Sequence, residues 1–145
     1  MLTYRLNLGT IGTDESSSYH VRFAVVKEII NDRIERIQAA IAILRSQIEQ
    51  IESSGEVAPA GCLVMRYQAQ GSRAAYWYYK LQANSPIFPT SRDKAKKSKY
   101  KHLGKAGSPA HIDAVMLVKR RALINELSRA IKSLEESLLD VYFDE

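Results

Sequence analysis

Apolar residues recur on a heptad spacing in two stretches of this chain, and the segment between them alternates with a period of two. In the first stretch the apolar positions are Val26, Ile30, Ile34, Ile37, Ile41, Leu44, Ile48 and Ile51. After an opening step of four, the spacing alternates between four and three. This predicts a helix over residues 20–54 with a coiled-coil seam along one side. Arg33, Glu35, Arg36, Gln38, Arg45, Gln47 and Glu49 occupy its other faces. Ser53-Ser54-Gly55 supplies the stop, with the glycine expected in the left-handed conformation that often closes a helix. The second seam is Leu117, Ile124, Leu127, Ile131, Leu134, Leu138 and Val141, with Arg120 as its polar interruption. It predicts a helix over 108–142, begun by Ser108 as N-cap and Pro109 in the first turn, where a missing N–H costs nothing. Ile112, Val115 and Met116 prolong its apolar face towards the start.

Two antiparallel helices pair residues whose numbers have a constant sum. Setting Ile51 against Ile112, or Val26 against Leu138, gives 163 or 164, an overlap of roughly 26 residues, or about 39 Å at the helical rise. Neither seam is wide enough to enclose a core, so homodimerisation through the helices is expected.

The intervening segment reads as β structure: a strand over 62–68, a turn at 70–73 and a second strand over 74–83. A loop then spans 86–96, with Ile87 and Phe88 tacked onto the core, and a third strand runs over 97–103 before Gly104. Residues 1–19 form an arm in which Leu2, Tyr4, Leu6 and Leu8 alternate with polar residues as in a short strand. The expected fold class is α+β, with two long antiparallel coiled-coil helices flanking a small three-stranded antiparallel sheet. The expected organisation is one elongated domain over 1–145: arm 1–19, helix 20–54, basic sheet insert 60–105 and helix 108–142.

Charge changes this picture. Between residues 66 and 105 stand ten Lys/Arg and one acid, Asp93, a local balance of +9 that leaves −4 for the rest of a chain whose net charge is +5. Concentrated positive charge among aromatics is the usual electrostatic footprint of nucleic-acid binding. Period-two alternation places Ala75, Trp77, Tyr79 and Leu81 on one face of the second strand, where Trp77, Tyr79 and Leu81 would pack the sheet against the helix ends. Tyr76, Tyr78 and Lys80 share the other face, free to stack on bases or meet phosphates. Aromatics on strands also serve ordinary cross-strand packing. Lys97, Lys99 and Lys101 alternate with Ser98, Tyr100 and His102, so three ammonium groups are expected on one side of the third strand, near the spacing of successive phosphates. The competing reading is an edge strand whose lysines prevent sheet-to-sheet association. Arg66 and Arg73 on the hairpin suit bidentate contacts to guanine edges or phosphates, and Lys94, Lys96 and Lys105 complete the candidate surface. Lys119-Arg120-Arg121 either extends it onto the second helix or forms a solvated helix face.

Other chemistry finds little footing. His20, His102 and His111 are scattered without metal-ligand spacing, and no phosphate loop or nucleophile elbow is present. No catalytic residue, metal or cofactor is therefore assigned. Cys62, the single cysteine, excludes an intramolecular disulfide and reads as a small buried residue in a cytoplasmic protein. No run approaches the roughly 18 apolar residues needed to cross a bilayer.

The run Tyr76-Trp77-Tyr78-Tyr79-Lys80-Leu81-Gln82, followed by Lys99-Tyr100-Lys101-His102-Leu103-Gly104-Lys105, resembles a pattern of small bacterial mobile-element and plasmid proteins. It is also found near the N-termini of some transposases. The resemblance covers residues 76–105 and implies a small sheet that contacts DNA. The chain departs from the transposases in having no catalytic domain, so it carries no implication of nuclease or strand-transfer activity. The expected function is therefore non-enzymatic nucleic-acid binding, DNA before RNA. The alternative is a structural or adaptor protein that recruits a partner through its helical seam.

Overall fold

The computed structural model describes residues 15–144. It has an α+β fold in which two long antiparallel helices carry a small antiparallel sheet at one end. Helix α1 spans Glu15–Ser54 and helix α2 spans Pro109–Phe143. Between them come β1 (Leu63–Gln70), β2 (Ala75–Gln82), β3 (Phe88–Pro89), β4 (Lys97–Ser98) and β5 (Tyr100–Gly104). Strands β1, β2 and β5 form a three-stranded sheet in the order β1-β2-β5, and β3 and β4 form a separate ribbon. The alternation over residues 2–8 falls outside the described residues. Among the described residues, no helix is long and apolar enough to cross a membrane.

The heptad residues do meet at the helix–helix seam. Ile41, Ile124, Ile131 and Val141 are buried there, with Ile34, Ile37, Leu44, Ile48, Leu127, Leu134 and Leu138 half-buried. The register differs from the one expected. Arg45 pairs with Glu135 at 2.8 Å and Arg33 with Asp144 at 3.3 Å, positions whose numbers total 180 and 177. The totals exceed 163–164 by 13 to 17, a slide of about two heptads. A periodic seam matches itself equally well after such a slide, so periodicity alone does not fix register. One consequence is that Ile112, Val115 and Met116 do not face α1; they lie exposed beside the sheet.

The sheet end fixes the register. The Ala58 N–H donates to the Leu117 carbonyl at 3.2 Å. Arg120 donates to the Glu56 carbonyl at 3.0 Å and Arg121 to the Ala58 carbonyl at 2.7 Å. Two adjacent guanidinium groups thus hold the backbone leaving α1 against α2. This also corrects the expected role of Gly55, which does not adopt positive φ. The hydroxyls of Ser53 and Ser54 bond back to the Gln50 and Ile51 carbonyls instead. A Cβ at 55 would lie 2.6 Å from the Arg120 guanidinium carbon, so a side chain there would push that flexible guanidinium aside.

At the other junction, the Ser108 hydroxyl donates to the Leu103 carbonyl at 2.7 Å and accepts from the His111 N–H at 3.3 Å. One side chain therefore caps α2 and ties it to the end of β5. Between these junctions lies a compact core of Ala58, Cys62, Leu81, Ala83, Leu103 and Ala114, bordered by Val64, Tyr79, Ile87, Phe88, Leu117 and Val118. The small residues let the sheet approach α2 closely.

Candidate nucleic-acid interface

Strand register decides which side chains meet. Tyr67 lies opposite Tyr78, Met65 opposite Lys80 and Ala69 opposite Tyr76. On the other side of β2, Lys80 faces His102 and Gln82 faces Tyr100. Directly paired residues share a face, so Tyr67, Tyr76, Tyr78, Lys80, Tyr100 and His102 all stand on the face turned away from α2. Their rings adjoin. Tyr67 and Tyr78 have centroids 6.0 Å apart, Tyr78 and His102 5.6 Å, and Tyr67 and His102 6.1 Å. A 2.6 Å hydrogen bond between the Tyr67 hydroxyl and His102 Nδ1 locks two of them together.

Cations lie on this aromatic surface. The Lys80 ammonium is 4.1 Å from the centroid of Tyr100 and 5.3 Å from that of Tyr67. Lys105 stands 5.3 Å from the ring of Tyr76, and that ring in turn lies over Gly71, where a Cβ would come within 2.8 Å of it. Such contacts hold flexible ammonium groups close to ring faces. Tyr100 nevertheless remains 47% exposed and Tyr76 42%, so each still offers surface to a ligand.

Other candidate residues lie elsewhere. Arg66 opposes Tyr79 and so belongs to the α2 side of the sheet, where its guanidinium stacks 3.7 Å from the Trp77 ring. Trp77 is itself 48% exposed, since β1 and β2 run past the helix. Of the three residues expected to cover the helix ends, Leu81 is buried and Tyr79 stacks on His111 at 4.0 Å, whereas Trp77 packs under Arg66 instead. Arg73 is exposed in the turn closed by the Gly71 N–H and Ala74 carbonyl.

The expected third strand is corrected: it breaks at Lys99. Lys97 belongs to β4 and opposes Pro89, while Lys101 belongs to β5 and opposes Leu81, on the α2 side. Lys99 lies between the strands, and its carbonyl accepts from the Ala83 N–H at 2.8 Å. The three lysines are all exposed, but they do not form one ladder. The break follows from the extra pairing of β4 with β3, which turns the chain before it joins the main sheet. Lys94 and Lys96 sit on the turn linking β3 to β4. That turn is ordered by bonds from Thr90 to the Asp93 carbonyl and from the Ala95 N–H to the Asp93 carboxylate.

Arg120 and Arg121 are engaged with backbone carbonyls, so only Lys119 of that cluster stands as an exposed cation. Tyr67, Tyr100 and His102 are the members of the outer face absent from the sequence-based set. The alternation of Tyr100 and His102 with the lysines carries that signal, as does a hairpin register placing Tyr67 across from Tyr78. The chain matches no family model, no curated protein and no solved structure.

Proposed function

We propose that the chain binds single-stranded nucleic acid on the outward face of its three-stranded sheet. The carrying observation is the adjoining set of Tyr67, Tyr78 and His102 rings with the Lys80 ammonium over Tyr67 and Tyr100. A platform of ring faces suits unpaired bases, whose own faces are open, better than a duplex, whose bases are already stacked on one another. Lys80 and Lys105 on the platform, with Lys94, Lys96 and Lys97 on the adjacent ribbon, supply charge for the phosphate backbone. DNA is the first candidate polymer, on the sequence resemblance. No bond is made or broken in this role.

The test is a salt-titrated anisotropy measurement with single-stranded DNA, single-stranded RNA and duplex DNA side by side. Single strands should bind more tightly than duplex. Lys80→Ala should flatten the salt dependence by about 0.7 of a log–log unit for each phosphate no longer neutralised. Absence of binding below about 100 μM near physiological salt defeats the proposal and leaves the adaptor role.

A further inference from the structure

Because the register is shifted, α1 outruns α2. Asp144 comes level with Arg33, and every residue over 15–29 is exposed. This segment is far from polar: Tyr19 is 61% exposed, Phe23 73% and Val26 53%. Together with half-buried Ile30 they form a stripe lining two shallow clefts, the second of which Asp144 borders. The stripe runs directly into the seam at Ile30, Ile34 and Ile37, so it continues the surface that α2 covers farther along.

We propose that the stripe is covered by a second copy of the chain, whose own overhang lies antiparallel against it. Three observations favour this occupant. First, the steps from Tyr19 to Phe23, Val26 and Ile30 are four, three and four, the same in either direction. A two-fold axis between residues 24 and 25 then sets Tyr19 opposite the second copy's Ile30 and Phe23 opposite its Val26, as an isologous interface requires. Second, the incoming helix has the direction of α2 and takes its place along the seam. Its N-terminal turn meets the C-terminal end of α2 and the Asp144 carboxylate, opposite ends of two helix dipoles. Third, the size suffices. The four stripe residues of each copy remove on the order of 400 Å² per copy from water. With Phe143, 81% exposed at the end of α2, the total comes to about 1,000 Å², the lower bound for a specific interface. Such a dimer has its two sheets at opposite ends, separated by about 90 Å along the paired helices.

Sedimentation equilibrium of the full chain is the test, and it does not depend on nucleic-acid binding. The wild type should show twice the chain mass at about 10–100 μM. Phe23→Glu should restore the monomer, whereas Val21→Glu, nearly opposite the stripe on the helix, should leave the dimer intact. A double variant, Phe23→Cys with Val26→Cys, should oxidise to dimers whose peptide map joins 23 of one copy to 26 of the other. A monomeric wild type, dissociation by Val21→Glu as readily as by Phe23→Glu, or 23-to-23 linkage would each overturn the proposal. A folding failure is recognised by loss of the helical circular dichroism signal. In that case the cysteine variant, read by its disulfide map, still decides.

Discussion

The two faces of the three-stranded sheet come from the same strands, residue by residue in alternation, yet they are built for opposite ends. Towards α2 the side chains become small and apolar near the helix, where Cys62, Leu81, Ala83 and Leu103 are all buried. Away from α2 they are aromatic and cationic, and they touch mostly one another. The inner face is occupied by the protein's own helix. The outer face holds polarisable rings and ammonium groups in a fixed arrangement with no described element of the chain above it. Stability and binding should therefore separate cleanly between residues that are neighbours in sequence.

The strongest way to break that comparison is Leu81→Ala. Removing a buried leucine from a core this small should cost about 2–5 kcal/mol, seen as a large drop in thermal midpoint. Affinity should fall only to the extent that the protein unfolds. A smaller and complementary effect belongs to Tyr78→Ala. It should weaken single-strand binding by about 1–3 kcal/mol while leaving the thermal midpoint nearly unchanged. A variant that lost both properties together would show the two faces to be one energetic unit.

The smallest effect sharpens the inner face alone. Burial pushes the Cys62 thiol above its ordinary value, and the positive charge of Arg121 offsets part of that rise. The fold thus favours the neutral thiol, so this contribution is intact at neutral pH and lost as alkaline pH approaches and passes the raised value. Cys62 should accordingly resist iodoacetamide at mildly alkaline pH in the native protein and react readily once urea unfolds it. Mass spectrometry of the alkylated fraction checks this. Rapid modification of the native chain would mean that the core opens easily.

The helices and the first two strands are legible in the sequence because their signals are local: heptad spacing, a serine–proline start, and period-two alternation around a glycine turn. Three features are not. The helix register escapes because slides by whole heptads leave a repeating seam equally well matched; bonds at the sheet end choose among them. The break at Lys99 arises from β3–β4 pairing, a non-local interaction that alternating Lys97, Lys99 and Lys101 does not encode. Arg120 and Arg121 read as free charge because nothing in α2 itself reveals that the carbonyls of Glu56 and Ala58 lie beside them. In the candidate site, Tyr76, Tyr78, Lys80 and Lys105 are recognisable from β2 and its surroundings. Tyr67, Tyr100 and His102 join them only through cross-strand partners.

The clamp made by the two arginines behaves like the locking screw of a sliding scale. The graduations along the helices are evenly spaced and would accept several settings, and the screw admits one. By choosing that setting it determines how much of α1 projects beyond its companion, so two side chains beside the sheet dictate the reach of the opposite end of the protein.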